Sequence, residues 1–283
     1  MRYIEDKNLK YEDRLTKELR AYNVRHTGKR DSSTEYFYAI DDENLVGSIY
    51  TNYFWDWVNI GSMFYEDIEV LKKLISEISQ YYKDKAAGMK LYTEVECRVE
   101  DFKSIGFDIE GITEKTPKTT RYFYLKNIDF DIKSNNQIEV IVATEKIDKY
   151  NSILLNQIEK FNRDNNIYPV EERNIMFVAL DNDKFVGGVH GSITEDSMYI
   201  CRLVVREEYR GNGIGKNLMY NLEEKAKELE VHSINLGTVE FQAVKFYKKL
   251  GYRVVFVKEN DPEGYKSYSM IKKIWQMNNM ING

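Results

Sequence analysis

Arg210, Gly211, Gly213, Gly215 and Lys216 are the residues whose types and spacing speak most directly of chemistry, set in the run L-V-V-R-E-E-Y-R-G-N-G-I-G-K over 203–216. Glycine at every second position lets the backbone take positive φ and approach a ligand closely. The first turn of a helix leaves four N–H groups unpaired, and its dipole favours an anion there. Arg210 adds a forked cation beside them. Together these residues form a cradle for a pyrophosphate. The elements that must hold it are legible on either side. An apolar run ending at Val205 reads as a strand, and Leu218, Met219, Leu222 and Ala226 follow at helical spacing. The spacing G-x-G-x-G departs from the G-x-G-x-x-G of dinucleotide turns. Arg210 and Asn217 stand where a G-x-x-x-x-G-K-[ST] loop needs Gly and Ser/Thr.

The pattern that does fit is Q/R-x-x-G-x-G/A, met by Arg210, Gly213 and Gly215 after a strand ending L-x-V. It resembles the coenzyme A loop of the GNAT N-acetyltransferases. A second stretch, F-Q-A-V-K-F-Y-K-K-L-G-Y over 241–252, resembles that family's A-x-x-F-Y-x-K-x-G-[FY] motif, with Gly251 placed as a helix C-cap. The resemblance implies an α/β fold and direct attack of an amine on the thioester of acetyl-CoA as co-substrate. Carried over, Leu203, Val204 and Val205 bind the pantetheine arm through free backbone groups. Arg210, Gly211, Asn212, Gly213, Ile214, Gly215 and Lys216 take the pyrophosphate, Phe246 lines the coenzyme site, and Tyr247 protonates the departing thiolate. Glu240 replaces an asparagine often found at its position in the family. No residue stands out as the base; Glu240, Glu195, Asp196, His190 and a water chain remain open. Cys201 reads as a strand-buried thiol rather than a nucleophile.

Length and composition bound the rest. A chain of 283 residues suggests two domains. Mean hydropathy is −0.57, and no apolar run is long enough to span a membrane. No export signal is read at the N-terminus, and two lone cysteines fit reduced thiols, so a cytoplasmic protein is expected. A net charge of −5 without a Lys/Arg block disfavours nucleic acid and leans towards a cationic substrate. His26, His190 and His232 lie far apart, so no metal site is expected.

The chain also repeats itself. Residues 37–60 align with 177–200 without a gap, with Phe37/Phe177, Ala39/Ala179, Asp41/Asp181, Val46/Val186, Gly47/Gly187, Asp56/Asp196 and Ile60/Ile200 identical. Leu91/Leu236, Thr93/Thr238 and Gly106/Gly251 align further on, and residues 121–126 end the first copy as 267–272 end the second. The stretch lost between these blocks in the first copy is where the glycine loop sits in the second. Phe64 to Val70 stands there instead, with acidic residues, and Phe102 stands where Tyr247 does. The expected fold is therefore two tandem GNAT domains, each a mixed twisted sheet flanked by helices. Residues 1–128 form a degenerate copy without the coenzyme loop, 129–136 a polar linker, and 137–283 an acetyltransferase domain opening with its own strand at Ile138–Ala143. A tandem copy is compatible with a monomer. The expected activity is acetyl transfer to a primary amine: a small amine such as an amino acid, polyamine or antibiotic, or a protein N-terminus or lysine. The competing reading is a coenzyme A sensor without turnover; transfer of a longer acyl group is a third.

Overall fold

The computed structural model describes residues 1–115, 120–164 and 171–274. The first stretch runs β1 (Arg2–Glu5), α1 (Glu12–Thr27), β2 (Ser32–Asp41), β3 (Asn44–Phe54), β4 (Trp57–Tyr65), α2 (Ile68–Tyr82), β5 (Gly88–Thr93), α3 (Glu96–Ser104), β6 (Asp108–Lys115) and β7 (Thr120–Asn127). The second runs β8 (Glu139–Ala143), α4 (Asp148–Asp164), β9 (Glu172–Asp181), β10 (Lys184–Thr194), β11 (Ser197–Val205), α5 (Ile214–Glu228), β12 (Ser233–Val239), α6 (Val244–Lys249), β13 (Arg253–Lys258) and β14 (Ser267–Lys273). The result is α/β, with mixed sheets flanked by helices.

Two-residue turns set the hairpins. Asp42-Glu43 and Asn182-Asp183 both take positive φ at both positions, the geometry that matches strand twist and that Asp and Asn tolerate best. The strands then order as β8-β2-β3-β4-β5-β7-β6 and β1-β9-β10-β11-β12-β14-β13. The two sheets share one order and one register. Asn59 pairs with Lys90 as Tyr199 pairs with Asn235, and Thr93 pairs with Phe123 as Thr238 pairs with Tyr268. The last pair sets the closing strands one residue away from the sequence alignment of 121–126 with 267–272.

The opening elements differ from expectation. The strand expected at Ile138–Ala143 forms, but it pairs with β2 in the other sheet (Ala39 with Val140). The place beside β9 is taken by β1, a strand the sequence reading missed (Tyr3 with Ala179). The helices follow their strands: α1 packs on β10 and β11, and α4 on β3 and β4. Either short strand can satisfy the same unpaired edge, so the exchange leaves no ladder unmet. One consequence is measurable. Leu15 of α1 is fully buried among Met176, Val178, Leu180 and Val204. Leu15→Ala should cost about 2–5 kcal/mol, and hydrogen exchange should speed up in β9–β11 while β2–β4 keep their protection. The opposite pattern would contradict the exchange.

Each sheet carries one long amphipathic helix on one face. In α2, Leu71, Leu74, Ile75 and Ile78 are fully buried, and in α5, Leu218, Met219, Leu222 and Ala226 are. Strand alternation sends Met198, Ile200, Ile234 and Leu236 to the α5 face, so Tyr199, Asn235 and Gly237 point to the opposite face.

Candidate active site

The strands β11 and β12 pair in parallel only from Ser197–Ser233 to Ile200–Leu236. Beyond Ile200, β11 continues to Val205 on β10 alone, and the ladder shifts at His190/Gly191 so that Cys201 has no partner. The two central strands therefore splay, and the alternate backbone groups of the 203–205 stretch that point towards β12 face a cleft rather than a ladder. A buried backbone group seeks a partner, so the wedge suits an extended ligand bearing amides.

At the end of β11 a single 3₁₀ turn (Glu207–Tyr209) bends the chain into the glycine loop. Gly211 and Gly213 have φ of 81° and 75°, and a Cβ at either would meet nothing within 4 Å. Gly213 is the N-cap of α5 and provides no side-chain cap, so the first-turn N–H groups stay open. Arg210 donates from Nε to the Val205 carbonyl at 2.9 Å and lies 4.8 Å from the centre of the Tyr22 ring. A helix from the opening of the chain thus braces the loop's guanidinium. Asn212 is exposed and folds back on its own loop, its amide donating to the carbonyls of Tyr209 and Arg210 at 3.2 and 3.3 Å.

Tyr247 is 6% exposed and packs edge-on against Phe246 and Tyr252, at centroid distances of 5.2 and 5.7 Å. Burial, and then the neighbouring Tyr199, push its hydroxyl above the ordinary phenol range. The helix α6 begins only at Val244, inside the 241–252 motif that carries the Gly251 cap. The Gln242 side chain accepts from the Val239 N–H at 2.9 Å, holding a turn that delays the helix to Val244.

The cleft has a volume of about 1710 Å³ and is lined by Leu203, Val204, Val205, Arg210, Gly211, Gly213, Ile214, Gly215, Lys216, Phe246 and Tyr247. Of the residues expected to hold the coenzyme or donate the proton, Asn212 alone does not line it. Residues from the first stretch complete the wall, among them Tyr22, Lys90, Tyr92 and Tyr124. Sequence reading missed these, because they converge only through packing of one half on the other. Lys90 and Asp261 form an ion pair across the halves at 2.7 Å, where burial lowers the lysine's affinity for its proton and Asp261 partly restores it.

Comparison with known proteins follows this geometry. Residues 146–252 match the acetyltransferase (GNAT) family. The uncharacterized N-acetyltransferase YjcF of Bacillus subtilis is 31% identical over 103 residues, which cover 36% of this chain and 73% of that protein. The chain belongs to the GNAT family. It is an N-acetyltransferase, and so an acyltransferase. Blasticidin-S acetyltransferase of Streptomyces morookaense is 29% identical over 96 residues, covering 33% of this chain and 70% of that one. A crystal structure of an acetyltransferase from Bacillus cereus covers 46% of this chain and 96% of its own, at 30% identity and a TM-score of 0.40.

The candidate bases of this acetyltransferase lie elsewhere. Glu240, Glu195, Asp196 and His190 do not line the cleft. His190 accepts from Arg202 at 3.1 Å and sits 2.9 Å from the Asn174 Oδ1, which fixes a neutral ring with its proton on Nε2. Burial lowers its proton affinity, with Glu12 opposing, Arg202 reinforcing and Glu172 opposing. Cys201 is a free thiol raised by burial. Among the described residues, no group of three or more His, Cys, Asp or Glu side chains could hold a metal ion, and no helix is long and apolar enough to cross a membrane.

Proposed function

We propose that this protein transfers an acetyl group from acetyl-CoA to a primary amine, with the chemistry in residues 137–283. The observation that carries this reading is the pairing of an uncapped α5 N-terminus at Gly213 with the buried Tyr247 phenol in one cleft. The open N–H groups and Arg210 hold the pyrophosphate. The backbone groups of Leu203 to Val205 left open by the splay, the Val205 carbonyl held by Arg210 excepted, take the pantetheine amides. The amine attacks the thioester carbon directly, the carbon–sulfur bond breaks, and Tyr247 donates a proton to the leaving sulfur. The incoming ammonium loses its proton to water in the cleft.

Residues 1–128 are, in this reading, a degenerate copy whose opening strand and helix have changed places with those of the second. The equivalent site in the first sheet is filled by the chain's own groups. Asp67 caps α2, its carboxylate accepting from the N–H groups of Glu69 and Val70 at 2.9 Å, where α5 is open. Arg98 donates to the Met63 carbonyl at 3.3 Å, on the strand edge that matches Leu203. Phe102 is fully buried and has no hydroxyl to offer.

The test is thiol release from acetyl-CoA over an amine panel, with the acetylated amine identified by mass. Amine-dependent release with matching product supports the proposal. Tight retention of coenzyme A with no product would favour the sensor.

A further inference from the structure

Tyr92, Phe54, Ile112 and Tyr199 are among the most exposed large apolar side chains of the described residues, at 71, 45, 47 and 51%. All four line the same cleft. Contiguous exposed apolar side chains on a soluble protein mark a binding surface, and these meet on the face away from α5, across the splay from the glycine loop. Trp55 extends the wall by stacking on Phe54 at 4.9 Å, in a turn with positive φ at Trp55 and Asp56 and an Arg30–Asp56 ion pair. Tyr124 packs at 4.9 Å on Phe256, and a Cβ at Gly111 would overlap that Phe256 ring. Gly237 likewise leaves room for the Tyr199 hydroxyl, which a Cβ would approach to 3.0 Å. Tyr199 is open to the cleft yet enclosed by Tyr124 and Tyr92, and burial pushes its hydroxyl up to about 12.

Charge points the same way. Among the described residues that line the cleft, the one carboxylate is Asp261, and Lys90 already holds it. The other charged lining residues are basic, and Lys258 sits 4.9 Å from the centre of the Tyr124 ring. The lining thus opposes the chain's negative net charge and offers no free anion to a second or third ammonium group.

Resting on the acetyl transfer proposed above, we infer that the acceptor is a single primary amine carried on an aromatic body, bound between the halves against the Phe54–Trp55–Tyr92–Tyr124 wall. Flat aromatic walls stack such a body. A polyamine or an aminoglycoside would set several charges among lysines.

The experiment compares kcat/KM for tryptamine and phenethylamine with that for spermidine and kanamycin at fixed acetyl-CoA, and measures Tyr92→Ala and Phe54→Ala singly and together. Both side chains are exposed, so folding should survive, and acetyl-CoA affinity by calorimetry checks it. The aromatic amines should lead by about tenfold or more, and the double variant should raise the tryptamine KM about tenfold with acetyl-CoA affinity unchanged. Faster turnover of spermidine or kanamycin, or an unmoved tryptamine KM, overturns the inference and leaves acetyl transfer standing. Acetyl-CoA binding with turnover of no amine overturns it as well. Failure to bind acetyl-CoA at all overturns the transfer proposal beneath it.

Discussion

Tyr247→Phe is expected to lower kcat by about 10²–10⁴-fold, the usual worth of a positioned acid, while acetyl-CoA binds as before. The substitution removes one oxygen. The edge-on packing against Phe246 and Tyr252 depends on the ring and stays. Burial holds the Tyr247 phenol protonated through the neutral range, so the donor is always charged with its proton. The effect should appear in kcat, because the proton is called for only as the carbon–sulfur bond breaks. A variant with wild-type turnover would remove the proton-donor role.

Gly213→Asp should abolish useful coenzyme binding. A side chain at φ 75° carries backbone strain of about 1–2 kcal/mol, and Gly213→Ala isolates that part. The aspartate adds more. Its carboxylate would stand beside the open first-turn N–H groups of α5, competing for the place that the pyrophosphate needs. A like charge about 4 Å away costs ~4 kcal/mol at a surface dielectric. Calorimetry should show coenzyme A weakened by about 10²–10³-fold beyond the alanine variant. Equal affinity for the alanine and aspartate variants would detach the loop from the phosphates.

The glycine loop and the helix bearing Tyr247 were readable in sequence because their geometry is local. A glycine loop carries its own backbone geometry, and Phe246-Tyr247 sits on one helix a few residues from its partners. The hairpins were readable for the same reason: the Asp-rich turns fix them. Three things were not legible. The β1 strand is four residues long, too short for a period to declare itself. Its pairing with β9 rather than a neighbour in sequence is decided by which edge stands open, and both edges accept the same ladder. The aromatic wall of the cleft comes from the end of β3, the turn after it, β5 and β7 of the other half, where alternation marks Tyr92 and Tyr124 as outward but says nothing of what they face. Net charge does not describe the cleft for a related reason. The acidic residues lie mostly away from the cleft, and a sum over the chain carries no address.

The crossed-over opening elements constrain how the molecule comes into being. β1 and α1 are synthesised well before their partner, since the edge of β9 that receives them is made about 170 residues later. The first sheet, complete in all but one strand by Asn127, waits for β8 before its last edge is covered. Closing such long loops costs only logarithmically more than closing short ones, but it is slow, and an uncovered strand edge invites other chains meanwhile. Synthesis therefore passes through a stage in which an amphipathic helix has no sheet and a sheet has no border. The two halves reach maturity together, and a cut at the linker would strand each with the other's first piece.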